Sequence, residues 1–173
     1  MTTTIRALFI ALLAMSLAAC QEAGEAGDTD EASGDAATVA APAPLTAPTT
    51  DDDAAWGQYL TEVVRRNLGG ITNSPYLYYL PAESTPGFDG EYQRLLEKAD
   101  VDIARGILAG NMLAFGSPAS TKMGDLIIAS FADVDPGSME GVRVLFIGDA
   151  ADNQRVHEAL KPSGVTYVFV EAR

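Results

Sequence analysis

Apolar residues recur at helical spacing in four segments of the last two thirds of the chain. The first segment follows Asp51-Asp52-Asp53, which are suited to cap a helix. Its apolar positions share one face: Trp56, Leu60, Val63 and Val64. The second segment begins near Asp89, and the fourth covers residues 149–161. The third begins after Ser117, which we expect to be its N-cap, with Pro118 at the first helical position. The spacing therefore predicts four helices.

Short, nearly continuous apolar runs separate these helices and predict strands. The runs cover residues 75–81, 112–115, 142–147 and 165–170. Apolar strands that alternate with amphipathic helices are typical of a parallel sheet covered on both faces. We therefore predict the α/β class, with about four mostly parallel strands, helices on both faces of the sheet, and one helix before the first strand.

The first twenty residues, MTTTIRALFIALLAMSLAAC, have the pattern of an export signal. Their apolar run from Ala7 to Leu17 is shorter than the roughly 18–20 residues of a membrane-spanning helix. It leads into Leu17-Ala18-Ala19-Cys20, where small residues precede the single cysteine of the chain. This motif resembles the lipobox of bacterial lipoproteins, in which the cysteine is acylated and becomes the first residue of the mature chain. An ordinary secretory signal that ends beside a cysteine is the alternative.

The resemblance implies residues 1–19 as a lipoprotein signal peptide and Cys20 as the lipidated residue. Two or three acyl chains, palmitate among them, anchor such proteins stably in a membrane. Gln21 stands where an Asp commonly retains Gram-negative lipoproteins in the inner membrane, so the resemblance favours the outer membrane, facing the periplasm. The whole chain is similar to the uncharacterised envelope lipoproteins of Gram-negative bacteria.

Residues 20–50 differ in composition from the remainder of the chain. They contain six acidic residues, no basic residue and no aromatic residue, and they are rich in Ala, Gly, Thr and Pro. A segment of this kind buries too little apolar surface to offset its chain entropy, so we expect a disordered tether. Residues 51–173 contain every aromatic residue except Phe9 and predict a single α/β domain.

Charge and residue counts exclude several classes of function. The chain carries 11 basic and 24 acidic residues, a net charge of −13, which argues against a nucleic-acid partner. One cysteine rules out an internal disulfide or a multi-cysteine zinc site, and one histidine, His157, makes a transition-metal site improbable. We therefore expect no metal and no cofactor, and we assign no catalytic residue.

A ligand site in an open parallel sheet usually lies at the carboxyl ends of the strands. Three predicted loops meet there, at residues 81–90, 116–122 and 148–152. Their polar side chains are the candidate ligand-binding residues: Ser117, Ser120, Thr121, Asp149 and Asp152. The middle loop partly resembles a phosphate-binding loop, but the pattern GxxxxGK[ST] fails at Thr121 and Met123. Helix capping by Ser117, Asp149 and Asp152 is the structural alternative.

Two functions follow from these observations. The first is a membrane-anchored, non-enzymatic module whose periplasmic domain binds an envelope protein or another envelope component, with preference for basic partners. The second is a small-molecule-binding, anion-binding or hydrolytic domain that uses the crevice at the strand ends. The absence of a Gly-x-Ser-x-Gly elbow and of a placed histidine base favours the first.

Overall fold

A computed structural model describes residues 43–173. The helices are α1 (Asp53–Arg66), α2 (Phe88–Ala104), α3 (Ser120–Ser130) and α4 (Ala150–Leu160). The strands are β1 (Tyr76–Tyr79), β2 (Met112–Gly116), β3 (Arg143–Gly148) and β4 (Thr166–Glu171). The predicted signal peptide, the lipidation of Cys20 and most of the predicted tether lie outside the described residues. Within the described residues, no helix is both long enough and apolar enough to cross a bilayer.

The four strands form one parallel sheet in the order β1-β2-β3-β4. The predicted α/β class and parallel pairing are confirmed. One aromatic residue from each strand occupies the same register position, which gives a row across the sheet: Tyr78, Phe115, Phe146 and Phe169. The rings of Tyr78 and Phe115 are stacked with their centroids 4.6 Å apart. This row lies in the larger of two hydrophobic cores.

The helices are divided unequally between the two faces of the sheet. The buried side chains of α2, α3 and α4 all pack in the core that contains the aromatic row. The other face is covered by α1, whose Trp56, Leu60 and Val63 pack over Ala114 of β2 and Leu145 of β3. Strands that follow one another across a sheet, joined by crossovers of one hand, place every crossover helix on the same side.

The residues just before α1 belong to the folded domain. Leu45 and Ala47 pack against the core of the α1 face, and the Ala47 amide donates to the Arg173 carbonyl at 2.9 Å. The Trp56 indole donates to the Thr50 carbonyl at 3.0 Å. The folded domain accordingly includes residues that precede the predicted boundary at residue 51. The sequence pattern does not indicate that this segment belongs to the domain, because its residues are mostly small or polar and only Leu45 is strongly apolar.

Helix α3 begins later than the sequence predicts. Ser117 was expected to be its N-cap, but the helix starts at Ser120 and Ala119 occupies the cap position. The Ser117 hydroxyl is buried and donates to the Leu80 carbonyl at 2.8 Å, while it accepts from the Ala119 amide at 2.8 Å. Ser117 therefore ties the loop after β1 to the turn after β2 and does not cap the helix.

Candidate functional site

Four of the five predicted ligand-binding residues meet where α3 and α4 begin, at the carboxyl edge of the sheet. The Ser120 hydroxyl donates to Asp152 Oδ2 at 2.7 Å and accepts from the Asp149 amide at 2.7 Å. The Thr121 hydroxyl donates to the same carboxylate oxygen at a longer distance of 3.3 Å. Ser117, the fifth, takes part in the separate contact with Leu80.

Arg155 completes this hydrogen-bond network and was not among the predicted residues. Its guanidinium donates to Asp152 Oδ1 at 2.9 Å, to Asp125 Oδ1 at 2.7 Å and to the Thr121 carbonyl at 2.7 Å. The spacing of Asp152 and Arg155, three residues apart in α4, was visible in the sequence. The contacts of Arg155 with α3 could not be seen in the sequence, since they join positions about thirty residues apart.

Close packing holds the network together. A Cβ atom on Gly148 would stand 2.6 Å from Ser120 Oγ, and one on Gly124 would stand 2.5 Å from the Arg155 guanidinium. Gly148 is therefore favoured by close approach, whereas a side chain at Gly124 would displace the end of the Arg155 side chain from its contacts. Asp152 is only 5% exposed, and its carboxylate accepts hydrogen bonds from Arg155 and from the hydroxyls of Ser120 and Thr121. We name Ser120, Thr121, Asp125, Asp152 and Arg155 the α3–α4 network.

The predicted capping role of Asp149 is wrong in one respect. Asp149 occupies the N-cap position of α4, but its side chain is exposed and forms no capping hydrogen bond. Its backbone takes part in the first turn of the helix instead, because the Asp149 carbonyl accepts a hydrogen bond from the Asp152 amide at 3.0 Å. The Asp149 amide donates to the Ser120 hydroxyl, so the backbone of Asp149, and not its exposed side chain, joins α3 to α4.

The α3–α4 network has poor chemistry for nucleophilic catalysis. Ser120 would need a general base free to accept its proton, but the only carboxylate in the described residues that its hydroxyl contacts is Asp152, which is already paired with Arg155. His157 lies at an exposed position of α4, where its ring stacks on Tyr167 with centroids 4.9 Å apart. It takes no part in the hydrogen bonds of Ser120 or Asp152.

The loop between β1 and α2 forms a shallow polar depression at the same edge of the sheet. Its volume is about 340 Å³, and its lining includes Glu83, Thr85, Asp89 and Lys122. Every buried polar side-chain atom in residues 43–173 has a hydrogen-bond partner, so none is left aimed into this depression. No group of three or more His, Cys, Asp or Glu side chains in that range is arranged to hold a metal ion.

The order of the described strands does not favour a deep crevice at this edge. A crevice of that kind opens where the crossovers on either side of a strand pair go to opposite faces, which requires the strand order to reverse. The four described strands run in sequential order, and the three crossover helices share one face. The sequence pattern indicates alternating strands and helices, but it does not contain the order of the strands in the sheet.

A different concavity lies at the opposite, amino edge of the sheet. It runs between the last turns of α2 and α3 and continues beside the loop that precedes β3. Two adjoining cavities of about 250 and about 300 Å³ share Ile103, Ala104, Asp133 and Val134. We call this concavity the α2–α3 groove.

Comparison with known proteins identifies no relative. No protein-family model, no curated protein and no solved structure matches the chain.

Proposed function

We propose that this protein is a membrane-anchored envelope lipoprotein whose α/β domain binds another envelope protein and does not catalyse a reaction. In this proposal acyl chains on Cys20 hold it in the outer membrane, and the domain faces the periplasm. The observation that carries the binding role is the closure of the α3–α4 network. The polar side chains most suited to a ligand or catalytic site are already bonded to one another.

The energetic argument concerns the cost of opening these contacts. A ligand at Ser120 or Asp152 would have to replace hydrogen bonds of 2.7–2.9 Å, one of which joins two charged side chains, Arg155 and Asp152. Leaving such a buried group unpaired costs about 1–3 kcal/mol, and more when the group is charged. The network therefore supports a role in joining α3 to α4. The cost of opening it argues against the alternative of a small-molecule or hydrolytic site at the carboxyl edge.

Charge determines what kind of partner the domain would favour. From residue 51 onward the chain carries ten basic and eighteen acidic residues, a net charge of −8. An acidic surface steers basic partners toward it, and it is repelled by anionic lipid headgroups. The acyl anchor, rather than the surface charge, would therefore hold the protein at the membrane.

Two measurements on the full chain test this proposal. Metabolic labelling with an alkyne analogue of palmitate should label the wild-type chain and should fail on Cys20→Ala, whereas labelling of Ser16→Ala should match the wild type. Unlabelled wild-type chain would contradict the anchor.

The binding role is tested by affinity capture from solubilised envelopes with a tagged full chain. We expect a stoichiometric protein partner whose capture falls as salt is raised from about 50 mM to about 500 mM, because salt screens exposed charges. A captured amount that does not change with salt concentration would contradict electrostatic steering by the acidic surface. Absence of any stoichiometric partner would contradict the binding role itself.

A further inference from the structure

The α2–α3 groove combines an apolar floor with an acidic rim. Its apolar lining comes from both helices and from the following loop: Ile103, Ala104, Ile107, Ala129, Val134 and Met139. Its charged lining consists of Asp100, Asp133 and Asp135, and no Lys, Arg or His lines either cavity. None of these three carboxylates forms an ion pair with another residue of the described range.

The shape of the groove suits a helix better than a compact small molecule. Its two adjoining cavities are lined by the ends of α2 and α3 and by the following loop, and they share only part of their lining, so the groove extends beyond either cavity alone. A third helix can pack over such a space by placing its ridge of apolar side chains between the two below. Lys or Arg on the flanks of that helix would then face Asp100 on one side and Asp133 on the other.

The acidic rim also decides against occupants from this chain. Residues 21–42 precede the described range and contain six acidic residues with no basic residue, so the rim would repel them. A second copy of the domain carries a net charge of −8 and would be repelled as a whole. A segment of opposite charge is therefore required.

We infer that the α2–α3 groove binds a basic amphipathic helix of a partner protein. This inference rests on the proposed binding function and names the site and the chemistry of the partner. Apolar side chains of the helix would fill the floor at Ile103 and Val134, and its Lys or Arg residues would pair with the rim, as in other helix-in-groove complexes.

The position of the groove adds a spatial consequence. The Tyr79 hydroxyl donates to Asp53 at 2.6 Å, so α1 begins at the carboxyl edge and runs toward the amino edge. Arg66, at its far end, donates to the Ala43 carbonyl. The described chain therefore starts at the same edge of the sheet as the groove. If Cys20 is anchored, the partner helix binds at the edge from which the tether leaves.

The inference is tested with a designed peptide and the full chain in zwitterionic detergent. The probe is a fluorescent Leu/Lys amphipathic helix of about 18 residues, which is five turns. A scrambled peptide of the same composition and a Leu/Glu peptide of the same pattern serve as controls, and micelles alone give the blank. We expect the Leu/Lys helix to bind at least about tenfold more tightly than the scrambled peptide, and the Leu/Glu helix not to bind.

Two groove variants localise the binding. Asp100→Asn/Asp133→Asn should weaken the Leu/Lys helix by about tenfold, whereas Glu97→Gln/Glu158→Gln, which removes the same charge from exposed positions elsewhere, should change its affinity by less than about twofold. Ala129→Trp, at an exposed helical position, should block the groove by bulk and cause a similar loss. Equal effects of the two charge pairs, or unchanged binding by Ala129→Trp, would overturn the inference.

Capture from envelopes separates this inference from the function on which it rests. A partner held equally by the wild type and by Ala129→Trp would overturn the groove while leaving the binding function intact. A wild-type chain that captures no partner would overturn the binding function itself.

Discussion

The roles of the hydroxyl and carboxylate groups at the carboxyl edge follow from their individual hydrogen-bond partners. Ser117 joins the loop after β1 to β2, and Ser120 joins α3 to both Asp149 and Asp152. Each of these serines donates one hydrogen bond and accepts another, so its single hydroxyl donor is already engaged. Thr121 is exposed and its contact with Asp152 is longer, which makes it the weaker member of the network.

The contrast between Ser120 and Thr121 gives a direct prediction. Ser120→Ala leaves the Asp149 amide and one side of Asp152 without their partner, and should lower the free energy of unfolding by about 1–3 kcal/mol. Thr121→Ala should cost less than about 0.5 kcal/mol, since its hydroxyl is exposed to water. Urea denaturation of both variants measures the difference. Equal effects would show that the network does not depend on Ser120.

A second polar cluster fixes α2 to the edge strand β1. The Tyr78 side chain is fully buried, and its hydroxyl donates to Asp102 Oδ2 at 2.9 Å. Lys98 donates to the same oxygen at 2.7 Å, and its ammonium lies 4.5 Å from the centre of the Tyr78 ring. Burial and the neighbouring carboxylate raise the pKa of Tyr78, which therefore stays protonated as the donor.

This cluster makes part of the stability dependent on pH. The hydrogen bond from Lys98 lowers the pKa of the Asp102 carboxyl, against the opposing effect of partial burial, and the Tyr78 hydroxyl lowers it further. A carboxyl with a depressed pKa in the folded state stabilises the fold above its unfolded pKa, about 3.9, and this contribution is lost as the pH falls through the folded-state pKa. Asp102→Asn should thus be less stable than the wild type at pH 7, by about 1 kcal/mol.

Chemical denaturation at several pH values tests the sign of this effect. The gap between wild type and Asp102→Asn should shrink as the pH falls below about 4, the unfolded-state pKa of an aspartate. Glu97→Gln, at an exposed position of the same helix, should change stability at pH 7 by less than about 0.5 kcal/mol. A gap that widened in acid would reverse the assigned direction of the Asp102 pKa.

Packing of whole elements depends on glycine at points of close approach. On Gly116 of β2 a Cβ atom would overlap the Leu60 side chain, so α1 can lie on the sheet only where this residue has no side chain. Gly57, within α1, has no atom within 4 Å of the corresponding position. One glycine is therefore demanded by packing and the other is not.

Opposite results are expected for alanine at these two glycines. Gly57→Ala should raise the free energy of unfolding by about 0.5–1 kcal/mol, because alanine is the better helix former. Gly116→Ala should lower it by about 1–3 kcal/mol through overpacking, and the double change Gly116→Ala/Leu60→Ala should cost less than the sum of the two single changes. Thermal or urea unfolding of the wild type, the three single variants and the double variant checks this. Stabilisation by Gly116→Ala would contradict the docking of α1 on β2.

Element types were predictable because their signals are local. Periodicity placed all four helices and four strands within a few residues of their observed bounds. The start of α3 was mispredicted because Ser117 has the residue type of an N-cap, and only the tertiary contact with Leu80 shows its other use. For the same reason the sequence grouped Ser120, Thr121 and Asp152 at one edge but could not reveal Arg155 as the ion-pair partner of Asp152.

At the scale of the whole molecule, the strand order decides where a binding surface can form. Sequential order puts three helices on one face and leaves no reversal among the four described strands, which explains the shallow carboxyl edge. The α2–α3 groove arises instead where two neighbouring crossover helices end. Neither the order nor the groove could be obtained from periodicity, since both depend on which elements become neighbours.

Site-specific photo-crosslinking in intact cells tests the binding function and its location most directly. A photoreactive residue would replace Ala104 in the α2–α3 groove or Thr85 in the carboxyl-edge depression, each in the full chain. We predict a covalent protein adduct from Ala104 and none from Thr85, and we expect Asp100→Asn/Asp133→Asn to reduce the yield at Ala104. An adduct from Thr85 with none from Ala104 would contradict the account and return the site to the carboxyl ends of the strands.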